Sequence, residues 1–209
     1  MLVCITGKIG SGKSTVIDQY TKLGYKTFEV DNYIHSIYKA NKIGYQKIKD
    51  EFGSEYVNDK EVNRAKLGQL VFNDKKELDR LNAITLPLIK EKILSLQNKK
   101  EIIFIELGIY ITNEQYFKDC FNLVILVKGK QELTDQKLKK LSWHGKKSLV
   151  NWNIKLLKTT NLLVIDNNST IKHLKNTIKK SIIDIKRHNK KLLNNFLHFM
   201  SETSKNNIL

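Results

Sequence analysis

The segment Gly7 to Ser14, GKIGSGKS, has the residue types and the spacing to hold a row of phosphates. It fits the pattern G-x-x-x-x-G-K-[ST]. Glycines let backbone N–H groups converge on phosphate oxygens without Cβ clashes, and the helix that follows offers its positive end. Gly7, Gly10, Ser11 and Gly12 form the cradle in this reading. Lys13 reaches the β and γ phosphates of ATP, Ser14 ligates Mg2+, and Thr15 donates to an inner phosphate. The reaction stays open at this point, because GTPases, transport ATPases, helicases and small-molecule kinases all use such a loop.

Carboxylates narrow the choice. Asp31 follows a short β-rich run, FEV, at a level beside the glycine loop, where a general base for an acceptor hydroxyl would stand. An Asp before a helical run is also a common N-cap. Glu29 falls on the same face as Asp31 if the strand continues through both, which would bring it into the metal environment. Glu106, after IIFI, reads either as the holder of a metal-bound water or as a loop carboxylate.

These residues need a scaffold that brings strand ends together. LVCIT at the N-terminus reads as a strand buried on both faces, and GKSTVIDQYTKLG as a helix ending at Gly24. KTFEVD is expected as a second strand, and EIIFIEL, NLVILV and LLVIDN as three more. Between the second and third strands, from about residue 33 to 100, the apolar spacing is helical. Helix resumes over residues 171 to 200, with Leu174, Ile178, Ile182 and Ile185 on one face. Strands alternating with helices predict an α/β fold with a parallel sheet flanked by helices and ligands beyond the strands' carboxyl ends. The helical block is expected to be an insert walling the acceptor substrate, within a single domain spanning residues 1 to 209.

Composition limits the partners. The net charge of +16 favours polyanions, yet arginine occurs only at Arg64, Arg80 and Arg187, and lysine is spread along the chain. That spread reads as a compositional bias, not a nucleic-acid patch. Cys4 and Cys120 show no metal-ligand spacing, which fits a reducing cytosol. The first residues lack the pattern of a signal peptide, and the longest apolar runs are too short to span a bilayer. A soluble, cytoplasmic protein without stable membrane association is expected. No N-K-x-D stretch marks a guanine-specific switch, and 209 residues are few for a helicase. A compact kinase of a small metabolite is favoured, ahead of a P-loop ATPase that binds nucleic acid.

Several stretches resemble dephospho-coenzyme A kinases. ITGKIGSGKSTV is similar to that family's opening, and Glu29-Val30-Asp31 with His35 resembles its D-A-D-x-x-x-H element. FG, DKEVNRAKLGQLVFND and LDRLNAITLPLI resemble its insert, and LLVIDNNST its last strand and loop. The resemblance implies a P-loop NTPase fold with a helical insert and a small lid over residues 130 to 158. It implies transfer of the ATP γ-phosphoryl group to the 3′-hydroxyl of dephospho-CoA, with Mg2+ as cofactor and Asp31 as the acceptor-side carboxylate. His35 and Arg64 would bind the acceptor, and Asn167 would lie in the loop that holds the adenine edge. Another nucleoside or nucleotide kinase is the alternative.

The chain departs from the family pattern at three places, one of them LGIYI after IIFIE, where the family has a proline and leucines. The histidine expected before Pro87 is Leu86. The family's lid carries a Q-x-x-R-x-x-x-R type element, whereas DQKLKKLSWHGKKS contains no arginine. Lysine must supply that charge: Lys139 and Lys140 beside Gln136 are the best matches, with Lys146 and Lys147 as second contributors. Lysine lacks the bidentate fork of a guanidinium, so slower turnover is expected.

Overall fold

A computed structural model describes residues 1–97, 101–129 and 161–206. By contact density the chain forms two compact units, Met1–Asn168 and Ser169–Leu209. The first is built on five strands: β1 (Leu2–Thr6), β2 (Lys26–Glu29), β3 (Ile103–Glu106), β4 (Leu123–Gly129) and β5 (Leu162–Asn167). All pairings are parallel, in the order β2-β3-β1-β4-β5. β1 is central, and all five of its residues are buried. A parallel strand covered on both faces needs such an unbroken apolar run. The chain runs from β1 to β2 on one side of the sheet and later crosses from β3 over β1 to β4 on the other, so the carboxyl end of β1 is the switch point where α/β sheets open a crevice.

Each face has its own cover. On one side α1 (Lys13–Lys22) is seated by Tyr20, whose ring stacks on Phe104 of β3 at 3.8 Å and 14°. On the other, Leu2, Cys4, Ile103, Ile105 and Val124 meet Leu86, Ile89 and Ile93 of α5 (Lys75–Ser95). Each fully buried aliphatic or aromatic side chain contributes roughly 1.5–3 kcal/mol.

Between β2 and β3 the helices begin at Val30, earlier than the expected residue 33. α2 (Val30–Ile37), α3 (Ile43–Phe52), α4 (Arg64–Asn73) and α5 gather a second cluster of Ile37, Tyr38, Ile48, Phe52, Leu67, Val71 and Leu88. α5 serves both clusters, Leu88 facing the insert and Ile89 the sheet. Pro87 lies inside α5, exposed, where it removes one intrahelical donor. Expected strand KTFEVD ends at Glu29. Val30 is already helical and 2% exposed, so its burial in the core is achieved as the first residue of α2. The alternation argument placing Glu29 and Asp31 on one strand face therefore does not apply.

After β3, a short helix α6 (Glu114–Phe117) leads to β4. The second unit is the single helix α7 (Ile171–Asn206), which runs past the expected end at Met200. Thr170 caps it, accepting from the His173 amide at 3.2 Å. Leu174, Ile178 and Ile185 are its buried apolar residues. No helix among the described residues is long and apolar enough to cross a membrane.

Candidate active site

The glycine loop joins β1 to α1 at the switch point. Gly10 and Gly12 adopt φ of 82° and 91°, left-handed values that an L side chain resists. The Ser11 amide closes the turn onto the Lys8 carbonyl at 3.1 Å. Lys13 folds back across it, its Nζ donating to the carbonyls of Gly7 and Lys8 at 3.2 Å each. Ser14 and Thr15 are exposed on the first turn of α1, where the helix's unpaired N–H groups favour anions.

Two further strand ends close in on the loop. Gly129, ending β4, stands so near that a Cβ there would lie 2.6 Å from Ser11 Cα. Asn167, ending β5, donates from its amide to the Ser11 carbonyl at 3.0 Å. Ser11 is 1% exposed, and its hydroxyl has no hydrogen-bond partner among the described residues. Sequence reading passed over Gly129; a glycine ending an apolar strand is the signal that marks such a close backbone approach.

Carboxylates gather on the opposite side. Glu106, at the end of β3, is in register with Glu29 of β2 and Ile5 of β1. Its Oε2 is buried without a hydrogen-bond partner among the described residues. Burial pushes the Glu106 carboxyl above its ordinary value, Lys13 opposes the rise, and Glu29 and Asp31 add to it. Asp31 is exposed in the first turn of α2, whose N-cap position is Glu29 with no side-chain cap bond. The capping role open to Asp31 in the sequence is thus not the one it takes, and its carboxylate is left at the crevice.

The insert brings two more candidates together. Arg64 Nη1 is hydrogen bonded to His35 Nε2, although the two are 29 residues apart. A guanidinium only donates, so His35 Nε2 accepts and its proton sits on Nδ1. Asn63 caps α4, accepting from the Lys66 amide at 3.1 Å, and so fixes Arg64 as the first helical residue. Glu61 lies beside this pair. Its carboxyl is held below the ordinary range first by a hydrogen bond from Lys39, with the charges of Lys39 and Arg64 adding to the effect. Glu61 was not singled out from sequence, where it is one acidic residue in a mixed-charge run. The lid candidates Gln136, Lys139, Lys140, Lys146 and Lys147 lie outside the described residues.

A cradle that three strand ends hold in place, a lysine folded over it and a carboxylate on the next helix is the equipment of a phosphotransferase. The dephospho-CoA kinase family model matches residues 1–142. The chain belongs to the dephospho-CoA kinase family. The dephospho-CoA kinase of Mycoplasma genitalium is 37% identical over 150 residues, covering 70% of this chain and 75% of that one. That of Lactobacillus acidophilus is 31% identical over 194 residues, covering 88% and 97%. Among solved structures, dephospho-CoA kinase from Campylobacter jejuni is 25% identical with a TM-score of 0.62, covering 90% of this chain and 98% of that one. Shikimate kinase from Acinetobacter baumannii, 15% identical with a TM-score of 0.52, shares the fold alone. As a dephospho-CoA kinase family member the chain is an ATP-dependent phosphotransferase of coenzyme A biosynthesis, on a P-loop kinase fold.

Proposed function

We propose that this chain moves the γ-phosphoryl group of ATP to the 3′-hydroxyl of the ribose of dephospho-CoA, using Asp31 as the acceptor-side base. The observation that carries this reading is the uncapped, exposed carboxylate of Asp31 in the first turn of α2, close enough to the crevice to act on Glu106. From there it accepts the hydroxyl proton as the ribose oxygen attacks. Gly7, Gly10, Ser11, Gly12, Ser14 and Thr15 bind the phosphate chain. Lys13 leaves the carbonyls of Gly7 and Lys8 and meets the β and γ phosphates, following charge as it develops.

The residues present suit a Mg2+ ion bound with the nucleotide. Such an ion keeps several waters and takes one or two carboxylates together with substrate phosphates. Ser14 would be its direct ligand, and the orphaned buried oxygen of Glu106 would hold one of its waters. When bound, the ion neutralises charge on the β and γ oxygens. His35 and Arg64 bind the acceptor, the guanidinium presented by its bond to the ring. Lys139 and Lys140 supply the lid's positive charge. The free, buried thiols of Cys4 and Cys120 support a cytoplasmic setting. Product formation from ATP and dephospho-CoA, with Asp31→Asn as the control, tests the reading.

A further inference from the structure

The bond from Asn167 to Ser11 spans 156 residues of chain and ends on a backbone atom inside the cradle. Its direction matters. In a trans peptide the C=O and the following N–H point opposite ways. With the Ser11 carbonyl turned onto the Asn167 amide, the Gly12 N–H is turned away from β5. A carbonyl released from that bond is free to swing its negative end into the cradle, against phosphate oxygens.

Two other observations tie the same atoms together. A Cβ on Gly12 would stand 2.1 Å from Asn167 Nδ2, so the amide occupies the space that any larger residue there would need. On the strand before, Gly129 lets β4 approach Ser11 from behind, where a Cβ would be 2.6 Å from its Cα. Ser11 is thus gripped by two strand ends, one by contact and one by a hydrogen bond.

We propose that Asn167 is a positioning residue of the phosphate cradle: its side-chain amide fixes the Ser11–Gly12 peptide in the orientation that presents N–H groups, not a carbonyl, to the nucleotide's phosphates. This places its effect on the phosphate chain and not on the adenine edge expected from the family likeness. The proposal rests on the reading of residues 7–14 as a phosphate cradle.

Calorimetric binding of ATP and of inorganic tripolyphosphate, each with Mg2+, separates the two roles. Asn167→Ala removes one hydrogen bond and is expected to weaken both ligands by the same factor, about fivefold. Asn167→Asp keeps the shape, sets an acceptor against the Ser11 carbonyl, and is expected to weaken both by more than about tenfold. The isosteric variant keeps the test available if the alanine variant does not fold. In turnover, KM for ATP rises while KM for dephospho-CoA stays constant. Loss of ATP affinity with unchanged tripolyphosphate affinity would make Asn167 an adenine contact and overturn the proposal. Unchanged affinity for both ligands in Asn167→Asp overturns it as well. Wild-type protein that binds neither ligand would instead sink the cradle reading, and this inference with it.

Discussion

Glu29 and Glu106 end two neighbouring parallel strands in register, so their side chains leave the same face of the sheet. Two carboxylates stand at one level, one of them with a buried oxygen that has no hydrogen-bond partner among the described residues, and Lys13 offsets their charge only in part.

That imbalance predicts a pH dependence. A carboxyl whose folded-state value lies above its unfolded one contributes stability that is complete below the unfolded value and is lost as pH rises through the folded one. Glu106 is such a group, because burial outweighs the pull of Lys13. In nucleotide-free protein, Glu106→Gln is expected to raise Tm at about pH 7.5 and to leave it unchanged at about pH 4. Thermal unfolding at both values checks this; a variant no more stable than wild type at the higher pH contradicts it.

Gly129 predicts a packing defect with a functional signature. Its Cβ would meet backbone, the Ser11 Cα at 2.6 Å and the Ser11 O at 2.9 Å, which cannot rotate away as a side chain can. Gly129→Ala is expected to cost about 1–3 kcal/mol, which is about 2–4 °C of Tm for each kcal/mol in a chain of this size. KM for ATP should rise with it, and KM for dephospho-CoA should not.

Lys13 is the residue whose removal should cost turnover most. Its bonds to Gly7 and Lys8 are to carbonyls of its own loop. Lys13→Ala is expected to lower kcat by about a hundred- to a thousandfold. Lys13→Arg should fail to rescue it, since the guanidinium is a planar fork where the site presents a point charge. Steady-state kinetics on the two variants decide this.

Sequence patterns showed the frame and the cradle because both are local. The unbroken apolar run Leu2–Ile5, the glycine spacing and the helical period of residues 33 to 100 each follow from short-range rules. What escaped them was set by packing between distant segments. β2 stops at Glu29 because Val30 is needed in the core, which moves Asp31 from a strand onto a helix. Asn167 and Gly129 reach Ser11 only because β4 and β5 lie beside β1 in the sheet order. The pairing of His35 with Arg64 depends in the same way on how α2 meets α4.

The acceptor role proposed for that pairing can be tested apart from the nucleotide site. Arg64→Ala removes a charge-assisted contact and is expected to raise KM for dephospho-CoA by about ten- to a hundredfold, leaving KM for ATP within about twofold. Arg64→Lys should recover only part of the loss, because the fork that reaches His35 is gone. Substrate titrations with each ligand held saturating measure both effects.

The most direct test of the central claim is a coupled phosphotransfer assay with purified protein, ATP, Mg2+ and dephospho-CoA, run on wild type and Asp31→Asn. One CoA formed per ATP consumed, with kcat at least about a hundredfold lower in Asp31→Asn, is the predicted result. ATP hydrolysis without CoA formation, or full activity in Asp31→Asn, would contradict it.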